Sequence, residues 1–109
     1  MQKLVVKEFL MESGENAFRD WLNKLDNSSK ARIQVRIFRL EQGNLGDAKS
    51  VGKGIWELRF TIGPGYRVYF AKDGQKIILL LLGGDKATQR RDITRAQSYW
   101  RTYMENKNG

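Results

Sequence analysis

The chain has no cysteine and no histidine. Without cysteine no disulfide forms. That is compatible with any compartment, and the cytoplasm is the expected one. Without either residue the usual ligands of zinc and other transition metals are missing, so no metal and no other cofactor is expected. Acid–base chemistry near neutral pH must fall to Glu, Asp, Lys, Tyr or Arg. Proline is nearly absent, at one residue. Aliphatic and aromatic residues are plentiful, which argues for a folded globular chain. Long apolar runs are missing too. The longest, Ile77 to Leu82, is far too short to cross a membrane, and Met1 to Phe9 lacks the apolar stretch of a signal peptide.

What is present is positive charge. The 109 residues carry a net charge of +8, with an isoelectric point near 10.0. The length suits one domain, expected over residues 1–109. A bias this strong in a small domain points to a polyanionic partner, most often nucleic acid, and the aromatic residues interleaved with the basic ones favour that choice. A solvated basic surface, or one that meets an acidic protein, is the plainer alternative.

Hydrophobic patterning predicts an α+β fold. Leu4–Phe9 reads as a short strand. Ser13-Gly14-Glu15-Asn16 supplies helix-start residues, and Phe18, Trp21, Leu22 and Leu25 then recur at helical spacing. Asp26-Asn27-Ser28-Ser29 breaks this helix and caps the next. In Lys30–Gln42 a row of Ala31, Val35 and Phe38 flanks a row of Ile33, Ile37 and Leu40, together a broad stripe expected to be buried. Gly43 is the natural stop. Asn44–Gly54 reads as a turn-rich connector. Three antiparallel strands follow: Trp56–Thr61, Tyr66–Phe70 after a Gly-Pro-Gly turn, and Lys76–Gly83 after an Asp-Gly turn. The last is apolar on both faces, as a strand covered on both sides would be. Lys86–Met104 is helical in pattern, with Ile93, Ala96, Trp100 and Tyr103 on one stripe, and Met104–Gly109 is expected to fray. The plan is an N-terminal strand, a helical hairpin, a three-stranded antiparallel meander and a C-terminal helix, with helices on one face of the sheet.

The hairpin at 56–70 carries the candidate chemistry. Strand side chains alternate, so Trp56, Leu58 and Phe60 share one face with Tyr66, Val68 and Phe70. Glu57, Arg59 and Thr61, with Arg67 and Tyr69, fall on the other, expected to be exposed. Two arginines, a carboxylate and a phenol on one face suit phosphate handling. Metal-free cleavage of RNA needs a base for the 2′-hydroxyl, cations for the charge that builds on phosphorus, and an acid for the departing 5′-oxygen. Glu57, the carboxylate of the row, is the candidate base. Arg59, Arg67, Lys49, Lys53 and Lys86 are candidate phosphate ligands, and Tyr69 a candidate proton donor or stacking group. The same residues also fit plain roles. Glu57 suits pairing with Arg59 or Arg67 across the hairpin, Tyr69 suits an ordinary strand aromatic, and Lys49 and Lys53 suit loop charges. Arg90, Arg91 and Arg95 suit a solvated helix face that aids long-range attraction. Gly83-Gly84 lacks the spacing of a nucleotide-binding loop. It reads instead as a strand end that delivers Lys86 to the sheet edge, with Asp85 capping the helix.

The order of elements, Gly-Tyr-Arg-Val-Tyr-Phe at 65–70, and Leu-Leu-Gly-Gly-Asp-Lys at 81–86 before Thr88-Gln89 resemble the RelE/ParE toxin superfamily. Phe18…Trp21-Leu22…Leu25, Arg36…Leu40…Gly43-Asn44…Gly46-Asp47…Lys49 and Gly54…Glu57-Leu58-Arg59 are similar to its HigB-like addiction module killer group. The resemblance spans nearly the whole chain. It implies a type II toxin whose RelE-like members cut mRNA on the ribosome without metal, and whose ParE-like members act on DNA gyrase. It also implies a cognate antitoxin, expected to be a small helix-turn-helix protein. Arg67 matches the hairpin arginine of the family. Glu57 falls where RelE has a catalytic lysine, and Lys86 near the basic residue placed after the last strand. The C-terminal catalytic tyrosine has no clear match, since Tyr99 and Tyr103 sit deep in a helix. A ribosome-dependent endoribonuclease is the leading expectation, with Arg90 among the RNA-binding residues. A gyrase poison and an inactive homologue that only binds antitoxin are the alternatives.

Overall fold

The computed structural model describes residues 3–108. Five strands form one sheet: β1 (Val5–Glu8), β2 (Ala48–Gly52), β3 (Ile55–Arg59), β4 (Arg67–Asp73) and β5 (Ile77–Gly84), in the order β1-β5-β4-β3-β2. Strand β1 runs parallel to β5, and the other neighbours are antiparallel. The helices are α1 (Ala17–Asn23), α2 (Asn27–Glu41) and α3 (Gln89–Asn108), the last preceded by a single 3-10 turn at Lys86–Thr88. The α+β expectation holds, with differences in its elements and layers. The segment read as a connector contains β2, so the meander has four strands. The C-terminal helix continues to Asn108 where fraying was expected, and Gly109 lies outside the described residues.

Local chemistry places the helix starts. Asn16 accepts the Arg19 N–H and Asp26 the Ser29 N–H, each satisfying a first-turn donor that has no intrahelical partner. Gly43, at φ 87°, ends the α2 segment in the left-handed region that glycine enters without strain.

Helices cover both faces of the sheet, not one. Leu58, Phe60, Val68, Phe70, Ile78 and Leu80 pack with Phe18, Leu22, Ile33 and Leu40 from α1 and α2. On the other face Ile55, Tyr69, Ala71, Leu79 and Leu81 pack with Phe9 and with Ala96 of α3. Strand β5 is therefore buried on both sides, as its unbroken apolar run requires.

A bulge explains the paired glycines. Phe70 lies opposite Leu80 but Tyr69 lies opposite Leu82, so one extra residue is inserted into β5. The alternation then flips, and Gly83 faces α1 while Gly84 faces α3. A Cβ on Gly83 would meet the Trp21 ring at 2.1 Å, and one on Gly84 would meet the Asp92 carboxyl at 1.9 Å. Both glycines exist because two helices approach the strand end from opposite sides.

The α2 stripe is narrower than the sequence suggested. Ile33 and Leu40 are buried, but Val35 and Phe38 are 49% and 59% exposed, and Ala31 is exposed with them. The second apolar row faces solvent.

Candidate functional site

The polar row of the hairpin runs across one end of the sheet. Arg59 on β3 lies opposite Arg67 on β4, which lies opposite Gly84 on β5. At the outer edge of the row the Arg59 N–H bonds the Asp47 carbonyl just before β2. At the inner edge Lys86 follows β5 in the 3-10 turn. Asp85 accepts the Ala87 and Thr88 N–H groups there and so fixes where Lys86 emerges. Asp47, Arg59, Phe60, Thr61, Gly63, Gly65, Arg67 and Lys86 enclose a cleft of about 310 Å³.

The Gly63-Pro64-Gly65 loop shapes its mouth. Gly63 and Gly65 have φ of 55° and 79°, and the Tyr66 ring lies where a side chain on Gly63 would stand. A Cβ on Gly65 would touch the Lys86 Cβ at 3.4 Å and Arg67 Nη1 at 3.5 Å, so these two cations flank one backbone gap.

The cations are held differently. Arg67 is nearly buried. Its Nη1 donates to the Gly65 and Tyr66 carbonyls at 3.0 and 3.1 Å, and its Nε stands 3.8 Å from Glu57 Oε1. Arg59 is more exposed and donates through Nε and Nη2 to Asp47 Oδ1, at 3.3 and 2.9 Å. Lys86 is exposed and forms no ion pair among the described residues.

Glu57 and Tyr69 do not face the cleft, which corrects the expectation of an exposed face. Glu57, fully buried, lies under α3. Its Oε2 accepts the Tyr69 hydroxyl at 3.1 Å and the Gln89 side-chain amide at 2.6 Å. Oε1 and Arg67 Nε make no hydrogen bond, although both are buried. Burial, with the Glu57 charge beside it, pushes the Tyr69 phenol well above its ordinary pKa, so it stays neutral. Glu57 is thus the buried charge partner of Arg67, and Tyr69 and Gln89 hold Glu57 in place.

The remaining candidates scatter. Lys49 lies opposite Glu57 on the exposed edge strand β2. Lys53 occupies the β2–β3 turn in the left-handed region, at the far end of β3 from Arg59 and outside the cleft. Arg90 is exposed on the first turn of α3 and lines a separate hollow with Arg91 and Thr94. Two residues not singled out as site candidates belong to the arrangement. Asp47 supplies the carboxylate of the cleft, and Gln89 closes the Glu57 network. The available signals were the Gly46-Asp47 pair before a basic strand and Gln89 one turn beyond Lys86. No group of three or more possible metal ligands occurs among the described residues.

A helical hairpin, a five-stranded mixed sheet, a C-terminal helix and a cationic cleft at the strand ends together define an α+β protein of the RelE-like kind. Residues 20–101 match the model of the phage-derived Gp49-like proteins (DUF891), and the chain belongs to that family, a RelE/addiction-module-like toxin family. Its class carries a cognate antitoxin as partner. A protein of Haemophilus influenzae strain Rd, itself described as uncharacterized, is 52% identical over 81 residues, covering 73% of this chain and 82% of that protein. No helix among the described residues is long and apolar enough to cross a membrane.

Proposed function

We propose that the chain is the toxin of a HigB-like type II module and acts as a ribosome-dependent endoribonuclease on mRNA in the cytoplasm. The observation that supports this reading is the convergence of Arg59, Arg67 and Lys86 on one cleft at the sheet end. A scissile phosphate in that cleft meets two guanidiniums and an ammonium, which stabilise the charge of the pentacoordinate phosphorus. The RNA 2′-oxygen attacks phosphorus, the bond to the 5′-oxygen breaks, and a 2′,3′-cyclic phosphate and a 5′-hydroxyl result. Glu57 is enclosed, so the proton of the 2′-hydroxyl passes to Asp47, the carboxylate of the cleft. Lys86 supplies the proton of the leaving oxygen. These two stand at opposite ends of a row four strands wide, roughly 14 Å apart at the backbone given a spacing of ~4.8 Å per strand. The phosphate-binding arginines lie between them.

One observation favours a second reading. With Glu57 and Tyr69 enclosed, the cleft holds few proton-transfer groups, which suits a gyrase poison that needs binding but no catalysis. Induced expression separates the readings. The nuclease produces new mRNA 5′ ends with 5′-hydroxyls, and Lys86→Ala, at an exposed residue, lowers cleavage about 10²-fold or more without unfolding the chain. Arg67→Lys is a better test of the guanidinium than Arg67→Ala, because it leaves Glu57 a cationic partner. DNA breaks with intact mRNA overturn the nuclease in favour of the gyrase poison, and growth without arrest points to an inactive homologue.

A further inference from the structure

The turn that carries Lys86 is joined to the sheet at both ends. At one end the chain leaves β5 at Gly84, opposite Arg67. At the other, Gln89 opens α3 and donates its side-chain amide to Glu57 Oε2 of β3 at 2.6 Å. The same oxygen accepts the hydroxyl of Tyr69, which lies on β4 two residues from Arg67. Gln89 therefore grips a buried carboxylate that is tied to both strands of the hairpin. Among the described residues, the other side-chain hydrogen bonds of residues 85–89 stay within 85–92. Asp85 accepts the Ala87 and Thr88 N–H groups, and Thr88 Oγ1 accepts the Asp85 N–H and donates to Asp92. These bonds set the shape of the turn but not its place against the sheet. The first residue of α3 in the apolar core is Ile93, a full turn beyond Gln89.

Placement matters because Lys86 and Arg67 share one wall of the cleft. A Cβ on Gly65 would meet both of them, Lys86 at its Cβ and Arg67 at its Nη1. Arg67 is fixed by the Gly65 and Tyr66 carbonyls. Lys86 is exposed and takes its place from its backbone alone. A phosphate that meets both cations at once needs the turn and the strand at one separation.

We infer that Gln89 is a positioning residue: through Glu57 it holds the Lys86 turn where the ammonium and the Arg67 guanidinium take one phosphate together. The inference rests on the proposed reading of the cleft as a phosphate site, and not on cleavage. Its test reads binding alone. The probe is fluorescein-labelled oligouridylate with a 2′-O-methyl group on every ribose, which has no 2′-hydroxyl to attack phosphorus. Its affinity for the full chain is measured over a series of salt concentrations, with each variant shown to be folded by circular dichroism. One phosphate contact on a single strand contributes about 0.7 to the slope of log affinity against log salt. Lys86→Ala lowers the slope by about that amount. Gln89→Leu removes no charge, yet it lowers the slope equally and weakens binding about fivefold or more. Gln89→Asn, an amide one methylene too short to reach Glu57, does the same. Adding Gln89→Leu to Lys86→Ala leaves the slope unchanged and the affinity within about twofold, because the turn no longer carries a charge to place. A residue that serves stability alone lowers the melting temperature and leaves the slope at the parent value. That result in both Gln89 variants overturns the inference, as does a double variant in which the two losses multiply. A parent slope that Lys86→Ala does not alter overturns the reading of the cleft, and the inference with it.

Discussion

Replacing Glu57 by Gln separates a positioning carboxylate from a catalytic base. In the fold Glu57 is fully buried, and Arg67 Nε stands 3.8 Å from its Oε1. At that distance and an effective dielectric of ~20 the attraction is about 4 kcal/mol. Removing one charge of a buried pair costs about 3–5 kcal/mol, because the other is left without a partner. Gln preserves an acceptor for the Tyr69 hydroxyl and the Gln89 amide, but it turns an N–H group toward the Arg67 Nε–H. With stability of order 5–15 kcal/mol for a domain, the variant should melt about 10–20 °C lower. Urea titration should give a matching fall in midpoint with unchanged slope. Glu57→Gln with Arg67→Met should be less costly than the sum of the two single changes, since the pair leaves together. Growth arrest below the melting transition should fall through misplacement of Arg67 and not vanish. A Glu57→Gln protein that melts like the parent yet causes no growth arrest would refute this reasoning and return Glu57 to the role of base.

Two further outcomes follow from the packing of the helices. Gly83→Ala should destabilise the chain by at least ~1–3 kcal/mol, because a Cβ there would stand 2.1 Å from the rigid Trp21 ring; an unchanged urea midpoint would show that α1 does not approach β5 so closely. The end of α3 is tied to β4 through Asp73, which accepts hydrogen bonds from the Lys107 ammonium and, at 2.7 Å, from the Tyr103 hydroxyl. Chiefly because of Lys107, the Asp73 carboxyl is held below its ordinary value of 3.8. A pKa depressed on folding contributes stability above the unfolded value, and that contribution is lost as pH falls through the folded one. Lys107→Met should therefore lower the melting temperature at neutral pH, with the gap from the parent closing as pH drops below about 4; a gap constant with pH would remove Asp73 as the anchor.

The elements with strong local chemistry were legible. The apolar run of β5, the caps at Asn16, Asp26 and Asp85, and the glycine stop at Gly43 each carry a physical reason within a few residues. Strand β2 was not legible. Ala-Lys-Ser-Val-Gly has one β-branched residue, and as an edge strand it needs only backbone pairing to β3 and buries little. The exposed row of α2 was misread for a different reason. Helical spacing reports which residues share a face, but not whether the fold has anything left to cover that face. Val35 and Phe38 are left in solvent as a result.

The site was legible in composition and misread in depth. Alternation puts Glu57, Arg67 and Tyr69 on one side of the sheet, and it is silent on whether water or a helix lies there. A row that holds one carboxylate, one guanidinium and one phenol is polar as a list and nearly neutral as a cluster, so α3 covers it at little cost. The signal was complementarity along the row: Glu57 stands directly opposite Tyr69. Arg59 stands opposite Arg67, and no such compensation exists between them. Each member of that like-charged pair needs a carboxylate of its own. Arg59 turns to Asp47 and Arg67 to Glu57, and both line the cleft. Two facing arginines, each compensated on its own side by a carboxylate, thus come to line one cleft together with Lys86.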